Sequence, residues 1–147
     1  PLKGLEYQKN LERLAFTAGG RTQTAPAQRL VDFVDGKLSS NLNETSYQPG
    51  LNSAPMHSLL PKLIGSRLRK GFEAFGRKMH GYYTNEANIV GVESRTSSPV
   101  NIPRKENLEH PEIKGLFPCG EGGGYAGGIV SAAMDGERCA EAAIELL

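Results

Sequence analysis

The 147 residues balance 17 Lys and Arg against 16 Asp and Glu, a formal net charge of +1 that excludes a polycationic or polyanionic role for the chain as a whole. Apolar residues make up only 38%, with no Trp, 18 Gly and 9 Pro, so one globular domain, or one plus part of another, with a modest core is expected. No apolar run approaches the ~20 residues of a membrane span, no signal-peptide pattern opens the chain, and two cysteines (Cys119, Cys139) fit a reducing compartment, so no membrane partner and a cytoplasmic location are expected. Because the sequence opens on Pro1 without an initiator Met, it is expected to be processed or cut from something longer.

In chain order, residues 5–18 carry a helical stripe at Tyr7, Leu11, Leu14, Ala15 and Ala18, stopped by Gly19-Gly20. Pro26 predicts the first turn of a second short helix with Ala27, Leu30, Val31 and Val34 inward and Gly36 as its stop. Residues 36–58 are polar and turn-rich and read as a loop. Pro61 opens a third helix with the stripe Ile64, Leu68, Phe72, Phe75 and Met79, interrupted by Gly65, Gly71 and Gly76 at about 1 kcal/mol each. Ala87–Val92 reads as a strand, then a polar turn from Ser94 to Pro99; Val100–Ile102 and Leu116–Cys119 read as two further short strands. The last helix carries Ile129, Ala133, Ala140, Ala143, Ile144 and Leu147 on one face. The fold class is α+β: a helix-rich first part, then short strands and a long C-terminal helix.

Charge is segregated along this order. Residues 62–80 hold Lys62, Arg67, Arg69, Lys70, Arg77 and Lys78 against Glu73 alone. A basic amphipathic helix suits an acidic partner, which gives an alternative function as a non-catalytic interaction module. No aromatic base-stacking platform accompanies it, so nucleic acid is not an expected partner and a solvated helix face is the simpler reading.

The most informative stretch is Leu116-Phe117-Pro118-Cys119-Gly120-Glu121-Gly122-Gly123-Gly124-Tyr125-Ala126-Gly127-Gly128-Ile129, with six glycines in the nine residues 120–128. Glycine lets a ligand approach the main chain, and the free N–H groups of a helix start favour an anion or a polar oxygen. Gly122 to Gly127 satisfies the dinucleotide spacing G-x-G-x-x-G. That fingerprint needs a following parallel strand with an acidic residue at its end, and this sequence stops inside the helix; Glu141 and Glu145 lie on the helix itself. A closing strand–Gly-Glu–helix unit, belonging to a sheet begun upstream, describes the stretch better. Glu121 is then a carboxylate beside a helix N-terminus, placed to accept hydrogen bonds from ligand hydroxyls. A helix-capping loop without a ligand is the alternative.

The stretch Gly115 to Gly128 resembles the C-terminal flavin motif of bacterial FAD-dependent dehydrogenases with the glutathione-reductase-type FAD fold. Ala25-Pro26-Ala27-Gln28-Arg29, Ser46-Tyr47-Gln48-Pro49-Gly50, Leu59-Leu60-Pro61 and Val92-Glu93-Ser94-Arg95-Thr96-Ser97-Ser98-Pro99-Val100 are similar to an uncharacterised subfamily of that group. The resemblance implies an inserted substrate or cap domain over residues 1–90 and a returning segment over 91–147 that completes a FAD-binding domain. It implies a FAD-dependent oxidoreductase, with FAD as cofactor, a small-molecule substrate and NAD(P)H as a candidate electron donor. The remaining partner is the N-terminal FAD-binding Rossmann segment of the same protein, absent from this sequence. Glu121 takes the position of the acidic residue that bonds the ribityl chain, although many relatives carry Asp there. Gly127, Gly128 and Ile129 present N–H groups to the pyrimidine edge, and Gly120 and Gly122 complete the cofactor-binding set. The isolated chain is expected to bind FAD weakly or not at all.

Beyond the flavin, Arg95 in the Ser/Thr-rich turn suits a substrate carboxylate or the flavin itself, with an exposed turn arginine as the alternative. Tyr47 and His57 lie in or beside the long polar loop and single out no acid or base, so catalytic residues are unassigned. Cys119 reads as a small buried strand residue and Cys139 as a helix-packing one. His57, His80 and His110 have no metal-ligand spacing, and no metal is expected.

Overall fold

A computed structural model describes residues 2–95 and 97–146. Thr96 of the Ser/Thr-rich turn and Leu147 of the expected terminal stripe lie outside the described residues. The elements are α1 (Lys3–Ala18), β1 (Ala25–Arg29), α2 (Leu30–Asp35), β2 (Leu51–Ser53), α3 (Met56–Leu59), α4 (Lys62–Lys78), β3 (Asn88–Val90) and α5 (Ile129–Ile144). The architecture is α+β with a long C-terminal helix. The chain forms two compact units: a sheet unit, Asn10–Glu93, and a glycine-loop unit, Pro1–Lys9 with Ser94–Leu147.

The sheet unit is built on a three-stranded sheet in the order β2-β1-β3. β1 pairs parallel with β2 (Ala25 opposite Leu51) and antiparallel with β3 (Ala27 opposite Val90). This corrects the helix expected to open at Pro26. Proline lacks the N–H of a ladder but keeps its carbonyl, and Pro26 accepts from Gly91 N–H at 3.2 Å, one position before the β3 pairing begins. The helix starts only at Leu30, and β2 and α3 occupy part of the stretch expected to be loop. Leu11, Ala15, Ala27, Leu30, Phe33, Ala54 and Met56 form the core. Phe33 meets Phe72 of α4 edge-on, centroids 5.9 Å apart. α4 turns its stripe only partly inward: Ile64, Leu68, Phe75 and Met79 remain about 40–50% exposed.

The polar loop is tied to the core by buried side chains. Gln28, fully buried, donates through Nε2 to the Lys37 carbonyl and accepts the His57 N–H at 3.1 Å. Ser39 Oγ donates to Asp32 at 2.7 Å and accepts the Arg29 N–H at 2.9 Å. α2 ends at Gly36, left-handed at φ 73°, followed by Lys37 N–H bonding Asp32 C=O at 2.8 Å. Gly36→Ala is expected to lower stability by about 1 kcal/mol, read as a fall in the thermal midpoint, because a Cβ costs the left-handed conformation and would lie 3.2 Å from Arg69 Nη2.

In the glycine-loop unit, Gln8 Nε2 donates to the Ser94 carbonyl at 2.6 Å. Val100–Ile102 and Leu116–Cys119 are not strands. Their backbone bonds are isolated ones (Ile102 N–H to Gly123 C=O, His110 N–H to Leu116 C=O), so neither segment has a ladder partner among the described residues.

Candidate functional site: the glycine loop and the start of α5

Pro118 to Gly128 is anchored from below by one ion pair. Arg104 reaches Asp135 on α5 with both guanidinium nitrogens, at 2.9 and 2.7 Å. Arg104 Nη1 also donates to the Pro118 carbonyl at 2.9 Å, and the Gly120 N–H donates to Asp135 Oδ2 at 2.9 Å. The guanidinium carbon lies 3.6 Å from the centroid of Tyr125, whose hydroxyl meets the Ile102 carbonyl at 2.7 Å. A bidentate pair fixes orientation as well as charge, so the start of the loop, Tyr125 and the helix share one anchor. The hydrogen bonds from Arg104 and Gly120 hold the Asp135 carboxyl below the usual carboxylate range, and the Asp135 bond raises Arg104. Nothing in the sequence pattern singled out Arg104 or Asp135. Asp135 is one of four charged residues on α5, with Glu137, Arg138 and Glu141, and nothing in its spacing sets it apart.

The glycines divide by what they face. A Cβ on Gly124 would stand 2.6 Å from the Val100 carbonyl oxygen, and one on Gly123 would stand 3.0 Å from Cys119 backbone atoms, so these two are required by the chain's own folding. Gly122 differs: it is exposed, and a Cβ there meets nothing within 4 Å. Glu121 is likewise exposed at the loop's outer edge, following a turn rather than a strand end. Gly120 is left-handed at φ 65° and half-buried above Asp135. Gly127 and Gly128 are exposed, and the Gly128 N–H is engaged by Ser131 Oγ at 3.1 Å. Ile129 opens α5, so its N–H and that of Val130 have no acceptor within the helix. Arg95 lies exposed in the irregular segment after β3, next to the undescribed Thr96, and holds an interaction of its own.

α5 turns an unexpected face to its own unit. Its buried residues are Asp135 and Cys139, while Ile129 is 93% exposed, Val130 72%, Ile144 68% and Met134 50%. Of the apolar stripe read from the sequence, Ile129, Ala133, Ala140 and Ile144 are therefore exposed and Ala143 is half-buried. Cys139 is buried as expected, with burial as the main cause raising its thiol pKa; Cys119 is exposed, because the strand that would have buried it does not form. Both thiols are free. Among the described residues no group of three or more His, Cys, Asp or Glu is gathered as for a metal ion. No helix among them is long and apolar enough to cross a membrane.

A family described as FAD-dependent protein, C-terminal domain-like, matches residues 1–96. The chain belongs to this family. The match to the FAD-dependent protein C-terminal domain spans the sheet unit, whereas the glycine loop and α5 lie beyond it. A protein of Clostridium beijerinckii (strain ATCC 51743 / NCIMB 8052), described as an uncharacterized protein, is 42% identical over 147 residues, covering 99% of this chain. The chain spans 28% of that relative's length, so this FAD-dependent family member matches only a part of the longer protein.

Proposed function

We propose that this chain is part of a FAD-dependent oxidoreductase, in which residues 1–90 form an inserted substrate or cap domain and 91–147 return to close the flavin site. The observation that carries the reading is the bare apolar face of α5, which starts at Ile129 and Val130 where the open edge of the glycine loop ends. A helix with its large apolar side chains in water and its aspartate buried is built to be covered. We assign that cover to the FAD-binding Rossmann segment of the same polypeptide.

The residues fit the group in kind. The Glu121 carboxylate, exposed and acceptor-only when ionised, suits ribityl hydroxyls, and bare main chain at Gly120 and Gly122 lets a ring system approach. The first-turn N–H groups at Ile129, beside Gly127 and Gly128, stabilise negative charge on a pyrimidine edge through the helix dipole, with Gly128 shared with Ser131. Arg95 is the candidate for a carboxylate of a small-molecule substrate. FAD, when bound, supplies hydride acceptance, and NAD(P)H is the candidate donor.

The test is to express the protein from its complete reading frame and measure flavin absorbance and stoichiometry, beside the 147-residue chain alone. The expected result is near-stoichiometric flavin in the complete protein and little in the chain. A complete protein that stays colourless after reconstitution with FAD overturns the reading.

A further inference from the structure

The sheet unit holds a cleft that is remote in sequence from the glycine loop and unused by the flavin reading. It measures about 430 Å³ and is lined by His57, Ser58, Leu60, Lys62, Gly65, Ser66 and Arg69. That volume lies within the range of small-molecule sites, roughly 300–1,000 Å³, and is larger than a lone inorganic ion requires. Lys62, Gly65, Ser66 and Arg69 recur at the i, i+3, i+4, i+7 spacing that puts them on one face of α4, while His57 and Ser58 come from α3. Gly65 is buried, and a Cβ there would stand 3.5 Å from the His57 carbonyl, so α3 and α4 meet closely at the cleft's floor.

Its chemistry is one-signed. Two cations line it and no carboxylate does. Arg69 is held on its far side, its guanidinium carbon 5.9 Å from the Phe33 ring centroid, and its Nε is buried with no hydrogen-bond partner among the described residues. A buried donor left unmade is costly. The Gln28 amide holds His57 in place: its Oε1 accepts the His57 backbone N–H at 3.1 Å, and His57 Nδ1 lies 2.9 Å from Gln28 Nε2 and 3.2 Å from Oε1. Burial first, and the Arg69 charge second, keep His57 below the usual imidazole pKa. Ser58 and Ser66 hydroxyls rest at 3.0 Å on the Pro55 and Leu63 carbonyls, local bonds of a weak kind that a charged acceptor displaces.

We propose that the cleft between α3 and α4 binds the phosphate of a small phosphomonoester, with Lys62 and Arg69 supplying charge and the Ser58 and Ser66 hydroxyls supplying neutral donors. A phosphate dianion matches two cations and offers several acceptor oxygens to donors arriving from two helices, whereas a carboxylate would leave part of the charge and most of the donors unanswered.

The experiment is a titration of the ¹⁵N-labelled 147-residue chain with inorganic phosphate, ribose 5-phosphate, ribose and acetate at constant ionic strength, followed by amide shifts. Saturable shifts at Ser58, Gly65 and Ser66 are expected with the two phosphates and not with ribose or acetate. Lys62→Gln and Arg69→Gln should each weaken binding about tenfold or more, the scale of one charge-assisted hydrogen bond. Lys62 is exposed, so its variant keeps the test decisive even where the packed Arg69 variant fails to fold. Tighter binding of ribose 5-phosphate identifies an organic phosphate as the occupant; equal affinities identify free phosphate. Unmoved amides, or unchanged affinity in the Lys62 variant, overturn the proposal. None of these readouts depends on flavin.

Discussion

Asp135→Ala is expected to destabilise the glycine-loop unit by about 3 kcal/mol, lowering its thermal midpoint by roughly 10 °C as followed by circular dichroism and tyrosine fluorescence. Removing one partner of a buried pair leaves the other charge unanswered, here Arg104, and also strips the acceptor from the Gly120 N–H. Alanine is the best helix former, so helix propensity works against the loss and any fall in stability reports the pair. The side chains keep 13% and 11% of their exposure, which places the effect at the lower end for buried pairs. Asp135→Asn should cost about half as much, since its amide oxygen still accepts. Arg104→Met with Asp135→Leu should recover most of the loss, because apolar residues of similar size carry no desolvation penalty. The pH dependence has a fixed sign. The folded-state pKa of Asp135 is lowered from 3.8, so its contribution is complete above that value and fades as pH falls through the lower folded one. Wild type and Asp135→Ala should therefore differ by a constant amount at neutral pH and converge in denaturant titrations at strongly acid pH. A difference below about 0.5 kcal/mol at pH 7 would show that the loop is held by other contacts.

That anchor also explains what the sequence could and could not disclose. Helices α1, α4 and α5 were legible because their apolar spacing is helical over four turns or more, whatever the partner. β1 was not, because Pro26 reads as a helix start when its only recorded property is a fixed φ; that it sits one residue outside the β3 pairing is a tertiary fact. β2 and α3 span three and four residues, too short to establish a period. Leu116–Cys119 has strand composition but no ladder partner among the described residues, so local preference had nothing to pair with. The glycine loop was legible as a place where main chain is bared. The sequence did not separate Gly123 and Gly124, which the chain needs for its own close approaches, from Gly122, which it does not. The stripe on α5 was read correctly as apolar, and its exposure, which the sequence did not disclose, is the feature on which the proposed flavin-domain cover rests.

Gly122 offers the sharpest separation between a capping loop and a ligand cradle. In the 147-residue chain, Gly122→Leu is expected to change stability by less than about 0.5 kcal/mol, because a Cβ there meets no atom within 4 Å and the position requires no left-handed backbone. In the protein expressed from its complete reading frame, the same substitution should weaken FAD binding roughly a hundredfold, measured by flavin retention on dialysis and by fluorescence titration of the apoprotein. A side chain placed where a ring system approaches the main chain must either displace it or push the loop off the Asp135–Arg104 anchor, and both cost binding energy. Gly124→Leu provides the contrast: it strikes the Val100 carbonyl and should destabilise the chain with or without flavin. If Gly122→Leu retains flavin as wild type does, the loop's open edge faces solvent in the complete protein and the six glycines serve only to turn the chain into α5.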